Sequence, residues 1–332
     1  MAKRSASIDG MDRAVIARGE KQKSGILPVM GDSLSGVELV ERAISAVESY
    51  PGRVRDTKGR PGGLIELTMG KRPIIIGDLH ANLDNFWFIV RHEDNLKAVE
   101  SGEAVFISVG DIIHNDQTGH MREMEGSIAM LDAVLRFLVA HPGGFYYIRG
   151  NHDTFDERLR KSGIAQGAEF RKALLAVTSE EYVRAVERFF DALPMFVIGE
   201  GFIITHAGPI RGGCTRQELI DIKDYPDKYQ QLMWNRVNEF HGTPSPREYG
   251  EADIQATRSL LGLSPDTHFI VGHNPLWNDG GTTGVWMDVI GMKNHHIIYS
   301  GTGSRSPYFT FENGSLITKF AIPKAAEVYY YG

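Results

Sequence analysis

Two features of this chain predict an α/β fold. Five short apolar runs each stop at Gly or another small residue and pass into Asp, Asn or His: IIIGDLH, FISVGDI, YYIRGNHD, FIITHAG and FIVGHNP. Between them lie segments whose apolar residues recur at helical spacing, so strands and helices alternate. The 332 residues, 42% hydrophobic and 23% charged, have the ordinary composition of one or two globular domains.

Residues 1–25 begin with basic side chains but lack the apolar core of a secretory signal, and they read as a flexible arm. Residues 26–70 read as a helical and strand extension packed on the core, and 71–332 as one undivided body. Val37, Leu39, Val40, Ala43, Ile44 and Val47 recur at helical spacing and predict a helix over Val37–Tyr50. Pro51–Gly63 is a turn-rich break, after which Leu64–Leu67 and Pro73–Ile76 read as successive strands of one sheet. A helix near Leu83–Val90, a strand over Ala104–Val109, a helix over Gly126–Ala140 and a strand over Phe145–Ile148 follow. Helical spacing then runs through Glu169–Leu193, and Met195–Ile198 with Phe202–Thr205 reads as a hairpin turning at Gly199-Glu200-Gly201. Thr267–Val271, His296–Ser300 and Leu316–Phe320 are the later strands, and Gly242–Tyr249 (GTPSPREY) is an exposed loop near the strand-end cluster.

Composition excludes several classes of function. With 36 Lys and Arg against 42 Asp and Glu the formal charge is −6, so long nucleic acids are not expected partners. Cys214 is the sole cysteine, which forbids an intramolecular disulfide and makes the cytosol the default compartment. No stretch approaches the roughly 18 apolar residues of a membrane span, and no GxxxxGK[ST] sequence is present to cradle a nucleotide.

The strand-end residues Asp78, His80, Asp111, Asn151, His152, His206 and His273 offer oxygen and imidazole donors without thiolate. Such a set suits divalent transition ions. In Asp78-Leu79-His80 the side chains at i and i+2 can leave a strand on the same side and chelate one ion. Asp111 has two carboxylate oxygens and can bridge a pair of ions. Singly, each residue has a bland explanation at a strand end; five coincidences together do not.

The motifs GDLH, GDIIHND, IRGNHD, THAG and VGHNP, with IIYSGTGSRSPYFTFENG and YGEADIQATRSLLGLSPDTHFIVGHNP, resemble the calcineurin-like metallophosphoesterases over about Pro73–Asn313. The wording is closest to their phosphoprotein (Ser/Thr) phosphatase branch. This resemblance implies a two-sheet β-sandwich flanked by helices in four layers, with 71–332 as the catalytic domain. It also implies that Asp78, His80 and Asp111 hold one divalent ion, and that Asp111, Asn151, His206 and His273 hold a second. Manganese is expected first, with Fe, Zn or Co as alternatives. The pair would generate hydroxide from a bridging water, and His152 would protonate the leaving oxygen of a phosphate ester. Asp111 thus joins His152 as a catalytic residue.

Departures accompany the match. His114-Asn115 stands where phosphoprotein phosphatases usually carry Asp-Arg, so the support of the catalytic imidazole and the fork on the phosphate are both altered. Asp116 or a neutral His114 is expected to support His152, and His114, Asn115, Arg149 and Arg247 to face the phosphate, ahead of Arg211 and Arg305. Asp84 and Asp153 are expected to steady imidazoles or backbone amides behind the ligands. A cysteine-based phosphatase is excluded, because six residues after Cys214 stands Ile220, not Arg. His92, His120, His141, His241, His268, His295 and His296 read as structural or surface histidines.

The expected substrate is a phosphorylated protein, with small phosphate esters slower and no membrane partner. A hydrolase of dinucleoside polyphosphates or phosphodiesters is the alternative enzyme. A non-catalytic binding module on the same fold is the alternative of another class.

Overall fold

The computed structural model describes residues 36–67, 70–240, 242–274, 276, 283–301 and 305–321. The arm expected over 1–25 lies outside the described residues. In chain order the helices are α1 Gly36–Glu48, α2 Leu83–Arg91, α3 Asn95–Glu100, α4 Glu125–Ala140, α5 Gln166–Val177, α6 Glu180–Ala192, α7 Arg216–Ile220, α8 Pro226–Trp234 and α9 Glu251–Leu260. The strands are β1 Arg53–Arg55, β2 Pro61–Glu66, β3 Arg72–Ile76, β4 Ala104–Ser108, β5 Phe145–Tyr147, β6 Arg160–Lys161, β7 Ile164–Ala165, β8 Phe196–Gly199 and β9 Phe202–Thr205. They continue with β10 Arg236–Val237, β11 Glu248–Tyr249, β12 His268–Val271, β13 Val285–Trp286, β14 His295–Ile298, β15 Pro307–Glu312 and β16 Ser315–Phe320.

Two main sheets carry most of the strands, one ordered β1-β2-β8-β9-β12-β14-β13 and the other β16-β15-β3-β4-β5, while β6-β7 and β10-β11 form two-stranded sheets of their own. Strands β3, β4 and β5 are mutually parallel, as are β9, β12 and β14. Each set therefore delivers its carboxyl ends, and the loops leaving them, to one rim.

The period-2 alternation of strand side chains explains the layering. In the larger sheet Ile65, Val197, Ile204, Ile270 and Ile298 join the buried cluster shared with β3, β4 and β5. Their neighbours Leu64, Phe196, Ile203, Phe269 and Ile297 join a second cluster with Leu219, Leu232 and Ile254 of α7, α8 and α9. Helices α1, α4 and α6 contribute Val40, Leu135 and Phe189 to the first cluster. The result is four layers: helices, the smaller sheet, the larger sheet, helices. At roughly 1.5–3 kcal/mol for each large apolar side chain buried, both faces of the larger sheet are held in place.

Two expectations need correction. Strands β2 and β3 belong to different sheets: Leu64 pairs with Phe196 and Pro73 with Val105. Spacing along one segment specifies a strand but not its partner. The helical spacing over Glu169–Leu193 is realised as two helices, because Thr178 leaves helical geometry and the Ser179 hydroxyl accepts from the Tyr182 amide to start α6 afresh. Within the turn-rich Pro51–Gly63, β1 and the start of β2 pair as an antiparallel edge. Gly242–Tyr249 is mostly exposed, as expected, and its end pairs as β11 with β10.

Candidate metal centre

Two of the strand ends carry a glycine that lets a carboxylate come close. A Cβ on Gly272 would stand 1.8 Å from Asp78 Oδ1, and one on Gly150 2.2 Å from Asp111 Oδ1. The loops then turn through left-handed backbone at residues with side chains: φ is 44° at His80, 51° at Asp111, 66° at His114 and 57° at His273. Such conformations cost about 1–3 kcal/mol each and collect at functional sites.

These turns bring Asp78, His80 and Asp111 into one buried group, and Asp111, His206 and His273 into another, with the donor atoms of each group within 4.8 Å of one another. Asp111 is common to both. Asn151 completes the second group, its Oδ1 lying 2.8 Å from His206 Nε2 and 2.7 Å from His273 Nδ1.

Tautomers follow from the supporting bonds. His80 Nδ1 donates to the His114 carbonyl at 3.1 Å and His206 Nδ1 to the Val109 carbonyl at 2.9 Å, so both present the Nε2 lone pair to the cluster. His206 Nε2 then faces Asp111 Oδ2 at 3.4 Å as well as the Asn151 oxygen. Lone pairs so placed repel unless a positive charge stands among them. Asp78 Oδ1 and His273 Nε2 are buried and find no hydrogen-bond partner among the described residues. The donor set therefore fits divalent cations.

Electrostatics agrees. Burial opposes a charged His206, yet the Asp111 carboxylate outweighs it and pulls the imidazole up to about 9, so a proton takes the place on Nε2 from which a cation would displace it. Burial holds His80 and His273 below the usual histidine range, which leaves them neutral and able to act as ligands at neutral pH; it lowers His152 too, against the Asp111 carboxylate, which favours the protonated ring. Burial also raises Asp78, which ionises readily only with a cation beside it.

The calcineurin-like phosphoesterase family model matches residues 71–289. The chain belongs to that family. It is a metal-dependent hydrolase of the phosphoesterase class. Among solved structures, a protein serine/threonine phosphatase from Saccharomyces cerevisiae with similarity to human phosphatase PP5 superposes with a TM-score of 0.63. Identity there is 15%, over 87% of this chain and 89% of that one, which establishes a shared fold. The cold-active protein-tyrosine phosphatase of a psychrophile, Shewanella sp., gives 0.44 at 12% identity, over 78% of this chain and 80% of that one. No curated protein matches the chain. Among the described residues no helix is long and apolar enough to cross a membrane.

The phosphoesterase's other expected residues are distributed unevenly. His152 lines a cavity of about 530 Å³ with His80, Asp111, Asn151 and His273, its amide donating to Asp111 Oδ1 at 2.7 Å. Asp153 Oδ2 accepts from the amides of Asp111 at 3.1 Å and Gly150 at 2.7 Å, which fixes the bridging loop.

Several of the expected roles are corrected. The His114 ring is fully buried, edge-on to Phe170 at 5.3 Å, and cannot touch substrate; burial drives its pKa down to about 3. Asp116 does not support His152, because its Oδ2 turns to Lys161 at 3.4 Å and His80 at 3.8 Å. His152 Nδ1 is buried with no hydrogen-bond partner. Asn115 folds onto its own turn, Oδ1 accepting from the Gln117 amide at 2.9 Å. Arg149 pairs with Asp191 at 2.7 Å, and exposed Arg247 is not among the residues lining the cavity. Arg211 reaches the Ser245 carbonyl, and Arg305 lies over the Phe320 ring. Asp84 is exposed in the first turn of α2, where a carboxylate complements the helix dipole rather than an imidazole.

Among the cavity-lining residues that sequence reasoning missed are Lys161, Trp234, Arg236 and Tyr299. Arg236 donates to the His273 carbonyl at 3.0 Å and carries a guanidinium to the rim beside that ligand. Its strand has two residues, too short for any periodicity to announce it. Tyr299 follows a strand that spacing does reveal, and its ring is 6.1 Å from His80. Cys214 is buried, which lifts its thiol to about 12 and leaves it inert.

Proposed function

We propose that the protein hydrolyses phosphoric monoesters, with phosphoserine or phosphothreonine in proteins as the principal substrate and small phosphate esters as slower ones. The observation that supports this best is the sharing of Asp111 by two buried ligand groups. Asp78, His80 and Asp111 would hold one divalent ion, and Asp111, Asn151, His206 and His273 the other. When bound, such ions, manganese foremost, supply Lewis acidity toward the phosphoryl oxygens and toward water.

The chain's own residues do the rest. Arg236 binds a phosphoryl oxygen from the His273 side of the cavity. His152, on the cavity wall with its amide anchored to Asp111, delivers a proton to the leaving oxygen. Burial and strand-end packing exclude bulk water from the ligands, which strengthens each of these electrostatic contacts. The single, inert cysteine suits a reducing compartment, and we place the enzyme in the cytosol.

Release of phosphate from p-nitrophenyl phosphate with added manganese tests the activity; output no higher than a metal-only blank contradicts it. One observation favours a second reading. Trp234, 40% exposed, lines the cavity and offers an aromatic platform on which a nucleobase can stack. Rates on a phosphopeptide and on diadenosine tetraphosphate separate the two, and a large preference for the nucleotide would replace the first reading with the second.

A further inference from the structure

The Asp-Arg pair usual in phosphoprotein phosphatases is His114-Asn115 here, and neither side chain is placed to grip phosphate. Three cations line the cavity instead: Arg160, Lys161 and Arg236. The first two form β6 of a small hairpin, Arg160 opposite Ala165 and Lys161 opposite Ile164, between the Asn151-His152 loop and α5. Lys161 Nζ lies 3.4 Å from Asp116 Oδ2, and the same oxygen lies 3.8 Å from His80 Nε2. An ammonium is thus tethered through one carboxylate to a candidate ligand of the first ion, in the cavity that Arg236 also lines. Its positive field reaches His80, His114 and His152, each of which it disfavours from protonation.

We propose that Lys161 takes over phosphate binding from the missing arginine, and that Asp116 is the counter-ion it exchanges for the substrate's phosphate. This rests on the phosphomonoesterase reading above. Two properties of the pair support the exchange. The contact is long for an ion pair, and both side chains are partly open, Lys161 at 35% and Asp116 at 31%, so the resting partnership is weak. A phosphate dianion carries more charge than Asp116 and brings several acceptor oxygens, so it outcompetes the carboxylate. An ammonium is a point charge, not a planar fork, so it strengthens binding without fixing the phosphate's orientation. Arg236 is left to orient it.

The test is titration of inorganic phosphate into the full chain by calorimetry, with manganese in saturating excess. Lys161→Ala is expected to weaken phosphate binding about tenfold, and Lys161→Arg to keep it within about twofold of the unchanged protein. Asp116→Asn removes the competing carboxylate and is expected to tighten binding roughly threefold, a gain that misfolding cannot mimic. Equal phosphate affinity in the Lys161→Ala variant and the unchanged protein overturns the inference, as does weaker binding by Asp116→Asn or no phosphate binding at all. A protein that binds phosphate with these shifts yet hydrolyses no ester would sink the proposed activity and leave Lys161 in place.

Discussion

Two groups of buried histidines, one at the strand ends and one inside the larger sheet, show what separates a candidate ligand from a structural residue. His295 is satisfied on both sides: Nδ1 donates to the Phe269 carbonyl at 3.2 Å and Nε2 accepts from the Tyr249 hydroxyl at 2.9 Å. His296 accepts from the Asp288 amide and donates to His268 Nδ1 at 2.9 Å. Burial presses both down to about 3, as it lowers His80 and His273. Low pKa and burial are therefore shared, and they do not identify the site. The difference lies in what the second nitrogen faces. At the strand ends, as at His206, it meets carboxylate and amide oxygens that have no hydrogen to offer, and His80 and His273 sit on backbone held in the left-handed region.

The largest effect expected from breaking this contrast is at Asp111. Asp111→Asn removes the charge common to both ligand groups and should lower kcat by at least about a thousandfold, with elemental analysis showing fewer bound ions. Chelation of the unchanged protein should give a similar loss, reversed by manganese. An active, metal-replete Asp111→Asn variant would break the account of the site.

His152→Ala comes next. Loss of a general acid costs about a hundredfold or more when the leaving group is an alkoxide, and much less with p-nitrophenyl phosphate, whose phenolate leaves without a proton. Equal losses on both substrates, measured side by side, would remove His152 from that role. Asp153→Asn should weaken metal binding by about 10–100-fold without abolishing turnover at high metal, because its oxygen only steadies the amides of Asp111 and Gly150. Titration of activity against manganese measures this.

On the other side of the contrast, His295→Phe should leave kcat unchanged. It strands the buried Tyr249 hydroxyl and should cost about 1–3 kcal/mol in urea unfolding. A loss of activity without a loss of stability would contradict the assignment of His295 as structural.

How much was legible in the sequence follows from the same contrast. The candidate ligands stand out in the sequence because each ends an apolar run long enough to define a strand, and because the runs repeat one pattern. Helices α1, α2 and α4 were legible for the same reason. The allocation of β2 and β3 to separate sheets was not, since pairing with β8 or β4 is set by residues far along the chain. Lys161 and Arg236 sit in two-residue strands, and only the folded loops bring them to the cavity. Asp116 was expected behind His152, but one turn of loop geometry points it at Lys161 instead. Direction of a side chain on an irregular loop leaves no periodic trace.

The most direct test of the central claim is anomalous diffraction at the manganese edge from crystals of the manganese-loaded chain. Two peaks are expected, one beside Asp78 and His80, the other beside Asn151, His206 and His273, with the Asp111 carboxylate between them. A single peak, or two that do not share Asp111, would contradict it.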